Sequence, residues 1–281
     1  MRKHIASLFL ALALCVGLSV PALADGLGET RVGFYFGGSD NFYPYGAAAS
    51  GSGWSYDGDK TFTLNGLSLN ISYKGEDMVQ FCNPDRDINI VVADGTVNTM
   101  ASIGTMYKMG STKKVTMTFT GTGELDCMSI QFGTDSVVVS GPTLVCQSGF
   151  GGTGKLTLNS GSIDAMSLTI GADSALNGGS ILVHGVEVGQ YTRNSISINT
   201  KDPSAGQALA SKFVDQYGQP LRFEVAHFDF GDVAYIYDSQ GQYAYYAEFG
   251  AATEPTVGYS PAETATAHAT STYTNEAGET V

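Results

Sequence analysis

The sequence predicts an all-β fold: a right-handed parallel β-helix (β-solenoid) with irregular caps, a short C-terminal helix and a β-hairpin. Three observations carry the prediction. Pairs of apolar residues at alternate positions recur through the middle of the chain: Met117/Phe119 before Leu125/Cys127, Val137/Val139 before Leu144/Cys146, and Leu156/Leu158 before Ile163/Ala165. Their register holds at 19 residues, from Val139 to Leu158, Leu125 to Leu144, Leu144 to Ile163 and Cys146 to Ala165. Short glycine turns separate the pairs, as at Asp94-Gly95, Gly121-Thr-Gly123, Ser140-Gly141 and Ser160-Gly161. Alternation puts each pair on one face of a strand. A single repeat cannot bury that face, whereas stacking repeats about 4.8 Å apart turns each apolar position into a column. About six coils at that spacing would rise roughly 30 Å.

The elements follow in order. Residues 1–24 have the form of an export signal: Arg2 and Lys3, an apolar run from Ile5 to Val20, Pro21, and the small-x-small site Ala22-Leu23-Ala24. Residues 25–57 are aromatic and glycine-rich, with Phe34-Tyr-Phe36 and Phe42-Tyr-Pro-Tyr45, and are expected as an N-terminal cap. A solenoid needs one, because a bare end exposes core and strand edge. Residues 58–204 hold the coils; Ile90-Val-Val92 before Val97-Asn-Thr99 is a further instance of the pattern, with less regular copies at Phe62/Leu64, Leu168/Ile170 with Ile181/Val183, and Ile196/Ile198. Residues 205–250 are expected as a second cap: a helix over 205–217, then a tyrosine-rich hairpin with strands at Tyr235-Ile-Tyr237 and Tyr243-Ala-Tyr245 around Asp238-Ser-Gln-Gly241. Residues 251–281 contain eight Thr and seven Ala with no Lys or Arg, and are expected as a disordered tail or stalk.

Charge narrows the partners. Without Arg2 and Lys3, 12 basic residues face 27 acidic ones, a formal −15. Nucleic acid and anionic membranes are disfavoured by such a surface. After residue 24 no run approaches the ~18 apolar residues of a membrane span. Neutral partners, or partners bridged by cations, are favoured instead.

Several chemistries are set aside. Gly149-Phe-Gly-Gly-Thr-Gly154-Lys155 has the glycines of a phosphate-binding loop, but that chemistry needs a helix next, and Leu156-Thr-Leu158 begins a strand. The segment is expected as a flexible turn. Beyond residue 24 the histidines are His184, His227 and His268, none in a nucleophile motif. The three remaining cysteines, Cys82, Cys127 and Cys146, are an odd number without zinc spacing and are expected as free buried thiols. Arg86 between Asp85 and Asp87 is the one constellation resembling a lyase base beside a cation cluster.

Two sets of residues remain as candidate sites. Asp57, Asp59, Asp77, Asp85 and Asp87 could donate oxygens to structural calcium, the one cofactor that enters the reading. Trp54, Tyr56, Tyr235, Tyr237, Tyr243 and Tyr245 offer ring faces of the kind that stack on sugars.

The stretches Gly51-Ser-Gly-Trp54-Ser-Tyr56, Thr61-Phe-Thr-Leu64-Asn-Gly66 and Val91-Val-Ala-Asp94-Gly-Thr-Val-Asn98-Thr resemble the first coils of secreted bacterial β-helix proteins classed as carbohydrate-binding. The resemblance spans about residues 51–200. It implies a pectate-lyase-like fold and, from the family's cellulose- and acidic-sugar-binding members, a glycan ligand and calcium. No acidic calcium cluster carries over residue by residue. The expectation is a secreted, extracellular or cell-surface, non-catalytic module that binds a polysaccharide or cell-wall glycan. A structural or adhesive surface solenoid is the first alternative, and a calcium-dependent polysaccharide lyase the second.

Overall fold

The computed structural model describes residues 32–36, 41–71, 77–108, 111–185, 195–228 and 231–250. The expected export signal and tail lie outside these residues. The described chain is mostly β, with one helix and a 17-stranded mixed sheet that nearly closes on itself like a barrel.

Parallel pairing arranges the strands in three ladders. The first contains Thr61–Leu64, Ile88–Val92, Thr116–Thr120, 136–140, 156–158 and Ala175–Leu176, six levels in all. The second runs through 97–100, 124–127, 143–146, 162–165 and 180–183. The third runs through Met78–Cys82, 102–106, 129–133, 149–152, Leu168–Gly171 and Ile196–Asn199. The expected 19-residue partners meet: Val139 lies beside Leu158, Leu144 beside Ile163, and Cys127 beside Cys146.

Inward positions form apolar columns. Phe62, Ile90, Phe119, Val139, Leu158 and Leu176 are successive partners on the first ladder, all buried. On the second ladder Met100, Cys127, Cys146, Ala165 and Val183 do the same. The three cysteines are free and buried, with Sγ of Cys127 and Cys146 3.9 Å apart. Burial pushes the Cys82 thiol up to about 12. Among the described residues Asn98 and Asp135 are polar and fully buried. Asn98 is fully buried opposite Leu125, and its Oδ1 accepts from the Gly66 and Leu67 amides while Nδ2 donates to Thr96 Oγ1 and the Glu124 carbonyl.

The corner after the first ladder is turned by a glycine at positive φ on every level: Gly66, Gly95, Gly121, Gly141, Gly161 and Gly179. At Gly141 a β-carbon would sit 2.2 Å from the Gly121 carbonyl oxygen, so only glycine fits.

Two expectations need correcting. Residues 149–152 are strand rather than turn, with Phe150 inward on the third ladder. The helix is shorter than 205–217 and runs Pro203–Ala210, with Asp202 accepting from the Ser204 and Ala205 amides and Pro203 in the first turn.

Both ends are closed by antiparallel strands. Gly33–Phe36 pairs antiparallel with Met78–Cys82, and Trp54–Tyr56 with Thr61–Leu64. Their rings make an aromatic plug in which Phe34 touches Tyr43, Trp54, Tyr56, Phe62 and Phe81. At the other end Tyr246–Phe249 pairs antiparallel with Ser180–His184.

Candidate functional site

The second cap presents the most exposed aromatic cluster among the described residues. Its hairpin is Arg222–Phe228 against Gly231–Tyr237, upstream of the one expected from sequence. Alternation gives the hairpin two faces. Phe223 and Ile236 are buried, and Phe223's ring lies against Gly206, where a β-carbon would come within 2.3 Å of it. The other face carries Arg222 opposite Tyr237 and Glu224 opposite Tyr235.

After Tyr237 the chain turns through 238–242 and brings Tyr243 back beside Tyr237 in a single antiparallel bridge. The three rings pack together. Tyr243 stacks on Tyr237 at 5.3 Å and on Tyr235 at 5.5 Å, and Tyr235 and Tyr237 lie 6.2 Å apart. Tyr243 is 38% exposed. Burial, then the neighbouring Tyr243, pushes the phenols of Tyr235 and Tyr237 above their ordinary value, so both remain neutral donors. Arg222 and Glu224 approach to 3.9 Å at the edge of the cluster. Tyr245 is half-buried, and its carbonyl accepts from the Gly185 amide.

Two buried aspartates hold this turn, and sequence reasoning missed them. Asp238 Oδ1 accepts from the Gln240 and Gln242 amides. Asp215 Oδ1 accepts from the Tyr217 and Gln219 amides, and its Oδ2 reaches across to Ser239 N. Gln216 Nε2 answers by donating to Asp238 Oδ2, so the two loops interlock. The signal was present as a repeated Asp-x-x-Gly-Gln, at Asp215–Gln219 and Asp238–Gln242.

The other candidate rings sit elsewhere. Trp54 and Tyr56 are plug residues, 6% and 3% exposed. The Trp54 indole stacks on Phe36 at 4.4 Å and on Phe62 at 5.5 Å, within the buried plug. Neither residue presents a ring to a ligand.

The acidic candidates are engaged separately. Asp57 Oδ1 accepts from the amides of Asp59, Lys60 and Thr61; burial opposes the carboxylate, yet these bonds hold it below its ordinary range. Arg86 bridges Asp85 at 2.8 Å and Asp59 at 3.0 Å, and its guanidinium lies 5.5 Å from the Tyr45 ring centre. Asp87 Oδ1 accepts from the Thr116 amide, and the Asp77 carbonyl accepts from the Ala101 amide. Among the described residues no three His, Cys, Asp or Glu side chains gather where they could hold a metal ion. Asp85, through its hydrogen bond, raises the Arg86 pKa, the opposite of what a lyase base requires.

The 149–155 segment is likewise built unlike a phosphate loop: strand Leu156–Ala165 follows it directly. The chain matches no protein-family model, no curated protein and no solved structure.

Proposed function

We propose that this chain is a right-handed parallel β-helix that is exported and binds a glycan without catalysing a reaction on it. Three parallel ladders in constant order, closed by antiparallel caps, support the solenoid. Residues 1–24 support export. The observation that carries the binding function is the stacked cluster of Tyr235, Tyr237 and Tyr243 with a paired Arg222 and Glu224 at its edge. Tyrosine faces pack against the apolar side of a sugar ring while phenol, guanidinium and carboxylate groups bond its hydroxyls.

The test is the Tyr237→Ala/Tyr243→Ala double variant, assayed for binding on a glycan array and for melting temperature. At about 1 kcal/mol per aromatic contact, the pair should weaken binding tenfold or more with little change in melting temperature. A clear drop in melting temperature with affinity retained assigns these rings to the cap alone. Running the array with and without calcium, alongside absorbance of unsaturated products, separates binding from lyase action. An array on which the wild-type chain binds nothing leaves the solenoid as a structural spacer.

A further inference from the structure

Charge is distributed unevenly over the three ladders. The strands of the first and third ladders contain no acidic or basic residue, whereas Glu124, Asp126 and Asp164 all belong to the second, as does Glu248 of the strand that closes it. In a chain with a formal charge of −13, two faces are therefore neutral.

The two neutral faces differ in relief. At the far end of the first, Asn177 Nδ2 donates to Asn159 at 2.9 Å and Asn159 Nδ2 to Ser140 at 3.1 Å, so these two amides are engaged within the protein. On the third, the outward partners in successive levels are Gln80, Gly104, Gln131, Gly151, Thr169 and Ser197. Side-chain amides alternate with bare backbone over the first four. The adjoining column begins at Met78 and is small beyond it, at Ser102, Ser129 and Gly149. The track ends at a cavity of about 160 Å³ lined by Thr153, Thr169, Ser197 and Asn199 on one side and by Ala234 and Ile236 of the tyrosine hairpin on the other.

We infer that the outer face of the third ladder is a docking track for an uncharged, extended β-linked polysaccharide lying across the strands and ending at the inner face of the hairpin, whose tyrosines lie on its opposite face; this rests on the glycan-binding reading of that hairpin. Gln80 and Gln131 stand two levels apart, about 9.6 Å at ladder spacing. That matches the two-sugar repeat of an extended β-1,4-linked chain, so every second sugar meets an amide and the intervening one meets a glycine notch. Gln80 offers two donors and an acceptor to sugar hydroxyls, and Gln131, whose Nε2 also donates to Ser129 Oγ at 3.5 Å, offers one further donor and an acceptor. A neutral chain loses no ionic hydration on this face, while a polyanion is repelled by the molecule as a whole.

The experiment is calorimetry with β-1,4-linked hexasaccharides and disaccharides of glucose, mannose and xylose, and with an oligogalacturonate of six residues, on the wild-type chain, Gln80→Ala/Gln131→Ala and Tyr237→Ala/Tyr243→Ala. The track predicts that at least one neutral hexasaccharide binds tenfold or more tighter than its disaccharide and than the oligogalacturonate. The glutamine variant should remove that length dependence, leaving disaccharide binding and melting temperature as in the wild type. Equal affinity for hexa- and disaccharide, or a glutamine variant that keeps the preference, overturns the track while the hairpin reading stands on its tyrosine variant. Tighter binding of the oligogalacturonate overturns the neutral-chain assignment. No binding of any sugar by the wild-type chain overturns both.

Discussion

At the scale of single residues, some buried polar groups have their bonding capacity fully used, while others, such as Thr105 Oγ1 and Asp135 Oδ2, have no hydrogen-bond partner among the described residues. Asn98 is of the first kind: a fully buried amide meets two amide donors and two acceptors, so its burial leaves nothing unpaired. No periodicity could reveal it, because Asn98 sits where Leu125 and Leu144 sit on the next levels. His184 adds a pH dependence. Its Nδ1 lies 2.8 Å from Asp164 Oδ1, and that carboxylate raises the imidazole pKa above its ordinary 6.5. A raised folded pKa means the pair contributes its stability below pH 6.5 and loses it as pH climbs through the folded value. Melting temperature followed from about pH 5 to pH 8 should show this slope in the wild type and a flatter one in His184→Gln. An unchanged slope in the variant assigns the dependence to another group.

At the scale of elements, most strands of the first and second ladders were legible because they show an apolar pair with a glycine turn between pairs. The third was legible only at Leu168/Ile170 and Ile196/Ile198. Its strands at 102–106 and 129–133 continue from second-ladder strands within Val97–Met106 and Glu124–Gly133, so no turn residue announces them. Its outward positions are often glycine, which in sequence resembles loop; hence the misreading of 149–152 as a turn. Parity supplies the sharpest test of the ladders. Leu158 points inward and is fully buried, while Val138, opposite Thr157, points outward and is half-buried. Leu158→Asp should cost more than ~3 kcal/mol by burying an unpaired charge, whereas Val138→Thr should stay within about 0.5 kcal/mol. Urea midpoints of the two variants decide it, and similar values would mean the register is wrong.

At the scale of the whole molecule, each level touches the levels beside it, and the two ends depend on different devices. The N-terminal end relies on stacked rings, the C-terminal end on hydrogen-bonded aspartate turns and a short helix. Sequence composition pointed to aromatic segments at both ends but could not say which rings face water, since that depends on which strand edges they cover. Trp54 lies buried in the plug, while Tyr235, Tyr237 and Tyr243 lie on a more open face. Neighbour-only coupling predicts local damage. In Trp54→Ala, hydrogen exchange should accelerate at Thr61–Leu64 and Ile88–Val92 while 156–165 keeps its protection. Uniform loss of protection would show that the levels unfold together.

The corners carry a consequence for how such a chain changes length. Partners on the ladders are separated by 18 residues from Phe150 to Leu168, 19 from Leu144 to Ile163, 20 from Phe119 to Val139 and 29 from Ile88 to Met117, yet every one of these side chains points inward. Strand interiors tolerate no such variation, because one added residue turns every following side chain over. Insertions and deletions are therefore absorbed between faces and rejected within them. Over evolutionary time the corners can lengthen, diversify or receive foreign peptide while the three faces keep their columns, and for an engineer they are the natural grafting points on this scaffold.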